Sequence, residues 1–300
     1  MNNLNTHTSA PLRGLLTHER SLSDLNTWHV GGFATQTYAP ADLDDLCQFL
    51  KALPETELIV WLGLGSNVLI RDEGIKGTVI LTYPGLSGLR RVGTQVYVEA
   101  GVTCAKLAKF CAKQGLAGGC FFAGIPGTLG GALAMNASAF GGETWPLVKH
   151  VWTVDRQGKR HQRAVEEFKV GYREVHKPAE EWFIAAQLQL TVAEDIEREA
   201  QKIRALIKER REKQPIGEPS CGSVFRNPPG GFAAQLIEQC GLKGYQQGGA
   251  IVSPKHANFI INTGTATGKE IEALILHVQA QVRAQTGVQL VPEVHFLGTQ

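Results

Sequence analysis

Apolar residues recur along the chain at helical spacing in three places, with short β-type runs set between them. Leu43, Leu46, Cys47, Leu50 and Leu53 form the first helical stripe. Cys104, Leu107, Ala108 and Cys111 form the second, and Ile271, Leu274, Ile275, Val278 and Val282 the third. Thr103 stands where a hydroxyl caps the second helix, and Gly115 where the chain leaves it. The runs ELIVWLG (57–63), GTVILTY (77–83), VYVEAG (96–101), HVWTVD (150–155), WFIAAQLQLT (182–191), NFIINTG (258–264) and VQLVPEVHFLG (288–298) predict strands. Helices and strands interleave throughout, which sets the class as α/β or α+β.

Residues 194–214, EDIEREAQKIRALIKERREKQ, predict a charged helix with a narrow apolar seam at Ile196, Ile203, Leu206 and Ile207. Its acidic start and basic end suit the helix dipole. Most of its charges suit a solvated helix joining two lobes, although the basic end (Arg210, Arg211, Lys213) could still face an anionic ligand. Pro215 and Pro219 then break the pattern, which sets a boundary near 195–215.

Composition narrows the classes further. Three hundred residues with 43% hydrophobic content can bury two or three lobes. A net charge of +2, with 19% charged residues, offers no basic field for nucleic acid. The opening MNNLNTHTSAPLRGLL lacks a basic region followed by an apolar core, so secretion is not expected. The six cysteines (47, 104, 111, 120, 221 and 240) form neither CxxC pairs nor metal-ligand spacings, which favours a reducing, cytoplasmic setting without a disulfide framework. Nine scattered histidines with no HExxH-type pair give no expectation of a metal. The 29 uncharged residues from Gln114 to Gly142 are long enough to span a membrane, but nine glycines, Pro126 and Asn136 make them read as loops and tight turns.

Three segments carry candidate chemistry. GLGSNVLI (63–70) follows a predicted strand, yet a dinucleotide fingerprint would need glycine where Val68 stands, and no GxxxxGK[ST] occurs. What remains is bare backbone with Ser66 and Asn67, able to cradle an anion or to form an ordinary turn. AGIPGTLGGALAMNASAFGG (123–142) lets backbone approach a flat or phosphorylated ligand, or packs as a buried loop. Two such loops in one half of the chain favour a large nucleotide cofactor without identifying it. In PSCGSVFRNP (219–228), Cys221 and Ser223 stand two positions apart among turn residues. A hydrolase there needs a GxSxG elbow or a Cys/His pair; the elbow is missing and His256 is the one tempting partner. A hydrogen bond within its own turn is the commonest fate of such a serine.

Seven segments occur in a telling order: GLGSNVLI, GIPGTLGGALAMNASAFGGE, GYR (171–173), SCGSVFRNP, GLKG (241–244), GGAIVSPKHANFIIN and VPEV (291–294). Together, from about Thr27 to Gly298, they resemble the UDP-N-acetylenolpyruvoylglucosamine reductases (MurB) of bacterial peptidoglycan synthesis. The resemblance implies an α+β fold: a two-subdomain FAD-binding module of the PCMH type, shared with vanillyl-alcohol oxidase-like flavoproteins, then a smaller α+β substrate-binding domain. The boundaries expected are an N-terminal segment 1–26, the FAD domain 27–193 (subdomains about 27–80 and 81–193), a linking helix 194–214 and a substrate domain 215–300. FAD is expected to be non-covalent, because the first glycine loop holds neither histidine nor cysteine and Cys120 only precedes the second.

By the same resemblance Gly63, Gly65, Ser66 and Asn67 take the FAD pyrophosphate, and Gly124, Ile125, Pro126, Gly127, Gly131 and Asn136 line the rest of the cofactor. NADPH is the implied reductant and a UDP-sugar enolpyruvyl ether the implied substrate, reduced to UDP-N-acetylmuramate with no obligate protein partner. An enol ether is electron-rich and accepts hydride poorly. Its conjugated carboxylate draws off the incoming charge if cations or donors stabilise an enolate-like state, and a proton must then reach the neighbouring carbon. Arg173 is implied to pair with that carboxylate, Glu293 to polarise it in a protonated form, and Ser223 to give the proton. Tyr172, Lys213, Asn227 and Lys243 are the matching positions for phosphates, sugar or carboxylate.

Taken singly and without the resemblance, Arg173, Glu293 and Ser223 read better as a surface charge, a strand-edge carboxylate and a turn serine, and Lys243 reads equally well as a solvated surface lysine. A flavin-dependent alcohol oxidase of the same fold, and a nucleotide-binding module without catalysis, stay open on the residues alone. Departures from the family pattern are small. MNAGAYG reads MNASAFG, and Ser138 in place of glycine makes the backbone less permissive, so it is not counted as a site residue. Arg226 stands where lysine is frequent. Only residues 174–181 separate Arg173 from Trp182, and no insertion follows SVFRNP, as in the short form of the family.

Overall fold

The apolar run at residues 75–81 is buried along most of its length and becomes the middle of the first lobe. A computed structural model describes residues 11–299, so most of the stretch read for a leader lies outside the described residues. Strands β1 (Leu15–Ser21) and β2 (Phe33–Ala39), helix α1 (Leu43–Ala52), and strands β3 (Ile59–Leu62), β4 (Val68–Ile70) and β5 (Ile75–Leu81) follow in order. They build a sheet of order β1-β2-β5-β3, antiparallel between β1 and β2 and parallel around β5. Strand β1 was not foreseen because, as a largely exposed edge, it shows no alternation to read. Helix α1 is capped by Asp42, whose side chain accepts the N–H groups of Asp44 and Asp45.

The second lobe holds β6 (Leu89–Val92), β7 (Gln95–Glu99), α2 (Cys104–Lys113), β8 (Leu116–Ala117), α3 (Leu129–Ala134), β9 (Ser138–Ala139), β10 (Gly142–Glu143), β11 (Val148–Asp155), β12 (Arg160–Ala164), β13 (Lys169–Gly171), β14 (Glu174–His176), β15 (Glu181–Gln189) and β16 (Thr191–Val192). Its main sheet is antiparallel, of order β12-β11-β15-β7-β6. The Thr103 hydroxyl accepts the N–H of Lys106 at the start of α2, and Gly115 takes a left-handed φ of 65° just past its end. Inside the uncharged stretch read as loops sits the short helix α3; its LGGALA sequence hides the helical period behind two glycines.

Helix α4 (Ile196–Lys213) differs from the solvated link that its charges predict. Ile203 enters the core of the second lobe, while Ile196, the first residue of the seam, is half exposed. The Cys120 thiol donates to the buried Glu199 carboxylate at 2.8 Å, and Lys202 pairs with the same group at 2.5 Å. Ile203, with the partly buried Ile207, and one satisfied carboxylate therefore dock a helix whose average polarity suggests a free one.

The third lobe comprises α5 (Ala233–Gln239), β17 (Gln246–Gln247), β18 (Ala250–Val252), β19 (Ile260–Asn262), α6 (Gly268–Thr286) and β20 (His295–Leu297). A capping box between Thr267 and Glu270 opens α6, and Gly287 at φ 75° closes it. The last strand, β20, leaves this lobe and pairs parallel with β4 of the first. Asp72 accepts the N–H groups of Gly268 and Lys269 at 2.8 and 2.9 Å, and Arg71 forms an ion pair with Glu272 at 2.9 Å. The Trp28 indole donates to the Ile260 carbonyl at 2.8 Å, and Asn262 donates back to the Trp28 carbonyl at 2.7 Å. Trp28, Val30 and Leu69 consequently pack in one core with α6.

All six cysteines are free thiols. Among the described residues no helix is long and apolar enough to cross a membrane, and no group of metal-ligating side chains occurs.

Buried Asn258 clamps the segment that follows the Cys–Ser pair. Its Oδ1 accepts the N–H of Phe225 at 3.0 Å and its Nδ2 donates to the Phe225 carbonyl at 2.9 Å. Asn258→Ala strands two buried backbone groups, and denaturant unfolding should register a loss of about 2–4 kcal/mol. A loss under about 1 kcal/mol would mean that water replaces the amide.

Candidate active site

The glycine loops 63–68 and 124–131 face each other across the floor of a cleft of about 780 Å³, toward the upper end of the range for small-molecule sites. Gly65 sits at φ 61°, where an added Cβ would overlap the Leu25 carbonyl oxygen, so the turn admits glycine alone. A Cβ on Gly127 would come within 3.1 Å of the Ser66 hydroxyl, which brings the two loops edge to edge. At Gly131 a Cβ would meet nothing within 4 Å, because that face opens onto the cleft. A narrow floor of backbone with one open glycine fits a large, flat, phosphorylated group, and the donors there suit FAD.

One wall is built by pairing SCGSVFRNP against VPEV. The Glu293 N–H donates to the Val224 carbonyl at 2.7 Å, and the Arg226 N–H to the Val291 carbonyl at 2.9 Å. Left-handed Gly222, at φ 78°, turns the chain just before Ser223, which lines the cleft on the same wall as Glu293. From the floor, Asn67 holds this wall twice: its Nδ2 donates to the Glu293 carbonyl at 3.1 Å, and its own carbonyl accepts the His295 N–H at 3.1 Å. The side chain expected at a cofactor phosphate is a clamp on the segment that carries Glu293.

Arg173 arrives from elsewhere, at the tip of the β13–β14 hairpin, in a left-handed conformation of φ 57°. Its Nε lies 2.8 Å from Glu293 Oε1, and its Nη1 donates to the Ser138 hydroxyl at 2.9 Å. The Nε–H is not aligned on the carboxylate, so the Glu293 contact is one of charge proximity rather than a directed hydrogen bond. Burial pushes the Glu293 carboxyl above the usual glutamate value, outweighing the opposing pull of Arg173 and Arg226. Burial also pushes the Cys221 thiol well above its ordinary value, with Glu293 adding to the effect. A thiol held neutral is no nucleophile. His256 accepts the Asn258 N–H at its Nδ1 and does not line the cleft, so it is not a partner for Cys221 or Ser223 there.

Of the other positions singled out in the sequence, Gly63, Gly65, Ser66, Asn67, Gly124, Ile125, Pro126, Gly127, Gly131 and Lys213 all border the cleft. Lys213 is largely exposed and pairs with Glu209 at 2.7 Å. Four positions are placed off it. Asn136 is buried, donating to Glu143 and the Gly171 carbonyl and accepting the Trp145 N–H, against a smaller cavity of about 340 Å³. Tyr172 borders that smaller cavity and lays its ring 5.4 Å from the Arg173 guanidinium. Asn227 is exposed and accepts the Ala233 N–H at the start of α5. Lys243 pairs with Glu238 at 3.0 Å. The covalent-attachment candidate Cys120 is turned toward Glu199.

The cleft also holds residues that motif reading did not single out: Gln214, Met135, His295, Phe232 and Ser138. Ser138 was set aside on backbone grounds, yet the left-handed residues here are its neighbours Asn136 and Phe140, and a Cβ at 138 is accommodated. Arg210, noted only as part of a basic helix end, lines the cleft half-buried; burial lowers its pKa, and Nε donates to the neutral Gln214 at 2.9 Å. Knowing which face of α4 docks is what separates Arg210 and Lys213, which line the cleft, from Arg211, which does not.

Comparison with known proteins agrees with this geometry. Residues 34–162 match the FAD binding domain model, and residues 214–297 match the UDP-N-acetylenolpyruvoylglucosamine reductase C-terminal domain model. The chain is 57% identical over 285 residues to the UDP-N-acetylenolpyruvoylglucosamine reductase of Alkalilimnicola ehrlichii, covering 95% of each chain. It is 55% identical over 292 residues to that of Methylococcus capsulatus, covering 97% of this chain and 96% of the other. The crystal structure of the enzyme (MurB) from Thermus caldophilus superposes with a TM-score of 0.78 at 30% identity, over 95% of this chain and 99% of that one. A cleft floored by two glycine loops and walled by arginine, glutamate and serine, on a chain so alike over nearly its whole length, has one reading: the chain belongs to the UDP-N-acetylenolpyruvoylglucosamine reductase (MurB) family of FAD-binding oxidoreductases.

Proposed function

We propose that the chain reduces the enolpyruvyl ether of UDP-N-acetylenolpyruvoylglucosamine to UDP-N-acetylmuramate with NADPH, in the cytoplasm, as a step of peptidoglycan synthesis. The observation that carries this reading is the meeting of Arg173, Glu293 and Ser223 on one wall above the glycine floor. Bound on that floor without a covalent link, FAD supplies the hydride.

The chain's own groups handle charge and proton. Substrate carboxylate docks on the Arg173 guanidinium, whose fixed fork suits a planar anion. Glu293, whose carboxyl burial raises above the usual glutamate value, donates a hydrogen bond to the same carboxylate when protonated and so favours the enolate-like state over the ground state. Ser223 then delivers its proton to the carbon beside the new C–H bond, and the nearby Arg173 and neutral carboxyl limit the cost of its transient alkoxide. Arg210, half-buried against a neutral amide, and Lys213 meet the anionic phosphates of the nucleotides. Tyr172, Asn227 and Lys243 lie outside the cleft, where a role in holding substrate requires that the UDP-sugar extend past its rim or that the rim move.

Purified protein carrying FAD should show a flavin band that NADPH bleaches anaerobically and that UDP-N-acetylenolpyruvoylglucosamine restores; a protein that binds no added FAD would sink the reading. Ser223→Ala should keep the bleaching and slow the restoration by about 10²–10⁴-fold, the usual worth of a positioned acid. Turnover that needs a neutral Glu293 should decline as pH rises through its raised pKa, and Glu293→Gln should flatten that alkaline limb while slowing turnover. The same shift bears on stability. A carboxyl raised on folding favours the native state below its unfolded pKa, and this contribution is lost as pH rises through the folded pKa. Glu293→Gln should accordingly gain stability relative to the natural chain as pH rises through that window, and a pH-independent difference would show that the carboxyl is ionised throughout.

A further inference from the structure

Arg173 has few anchors of its own. It sits in a two-residue hairpin tip whose strands β13 and β14 are mostly exposed, and its left-handed backbone is one that arginine seldom adopts. The guanidinium is held instead by its partners: Glu293 at Nε, the Tyr172 ring alongside, and one neutral hydroxyl, Ser138 Oγ, at Nη1. Ser138 belongs to the small β9–β10 hairpin, where it pairs with Glu143. That hairpin packs against the turn of residues 120–124, so the serine rests on the cofactor-binding lobe while Glu293 belongs to the last strand region.

We infer that Ser138 is a positioning residue for substrate reduction, holding the Arg173 guanidinium so that its remaining N–H groups face the substrate carboxylate. This rests on Arg173 as the carboxylate-binding residue. The hydrogen count supports it. A guanidinium has five N–H donors. One of the two on Nη1 goes to Ser138 and Nε lies against Glu293, leaving one on Nη1 and both on Nη2 with no hydrogen bond to the described residues. Those two nitrogens form an edge that can take a carboxylate at both oxygens. Without the hydroxyl, the side chain swings toward its other polar anchor, the Glu293 carboxyl, and that edge turns with it. A hydroxyl suits this task because it orients the cation without neutralising it, whereas a second carboxylate would compete with the substrate.

The test separates the two half-reactions in the FAD-loaded enzyme. Ser138→Ala and Ser138→Gly should each slow the oxidation of NADPH-reduced enzyme by UDP-N-acetylenolpyruvoylglucosamine about tenfold, the worth of one hydrogen bond to a charged group. Flavin reduction by NADPH and the affinity for FAD should stay unchanged, and Ser138→Thr, which keeps the hydroxyl, should recover the rate. The charged and titratable groups facing the Glu293 carboxyl are Arg173 from the hairpin tip and Arg226 and Cys221 from the 219–228 segment. With Ser138 gone, Arg173 closes on Glu293 and lowers its pKa, so the alkaline limb of the oxidation step should move to lower pH. An unchanged oxidation step, or a loss of FAD affinity that parallels the loss of rate, would overturn the inference, the second by revealing a merely structural hairpin. Arg173→Lys tells the two levels apart. If it slows oxidation while the Ser138 variants do not, only this inference fails; if it too is silent, the role given to Arg173 fails with it.

Discussion

The last strand of the chain runs parallel to a strand near its beginning, and the site depends on that pairing. Through β20 on β4, and through the two hydrogen bonds that Asn67 makes to its approach, Glu293 and His295 are carried from the third lobe to the edge of the first glycine loop. The Asp72 cap on α6, the Arg71–Glu272 pair and the Trp28 indole fasten the same two lobes at other points. Parallel pairing of strands so far apart in sequence is entropically costly to close, which explains why so many polar ties cluster there. The glycine floor and the wall that carries Glu293 are thereby tied together at several points.

On this wall the electrostatics are arranged in opposition. Burial favours the neutral form of Glu293, while Arg173 and Arg226 favour the charged one, and burial prevails. A free carboxylate in that place would neutralise the arginine and repel the substrate's own carboxylate. The raised pKa widens the pH range in which the carboxyl beside that cation is neutral.

Much of this was legible in the residues. Helices α1, α2 and α6 announce themselves by stripes of apolar side chains with their caps, and the buried strands by continuous apolar runs. The exposed edge strand β1 and the glycine-rich α3 carry no such period. For the site, ordered motifs gave the floor and the wall, because glycine and backbone geometry are written locally. What the motifs could not supply is which polar groups already have partners. Asn136 carries an amide that could serve a cofactor, yet its bonds go to Glu143, Gly171 and Trp145. Asn227 and Lys243 likewise spend their polar atoms on Ala233 and Glu238. Ser138 errs in the other direction: judged as a glycine replacement it looked like a cost to the backbone, and only the fold brings the Arg173 guanidinium to its hydroxyl.

The left-handed arginine at the hairpin tip has a consequence for how such a chain can change. Glycine occupies that conformation with little penalty, whereas arginine is held there at a cost of order 1–3 kcal/mol. Any drift or engineering that rewards folding alone is therefore drawn toward glycine at position 173, the very substitution that removes the group implied to hold the substrate. Selection for resistance to heat and selection for turnover pull this one residue in opposite directions, and its presence records which has prevailed.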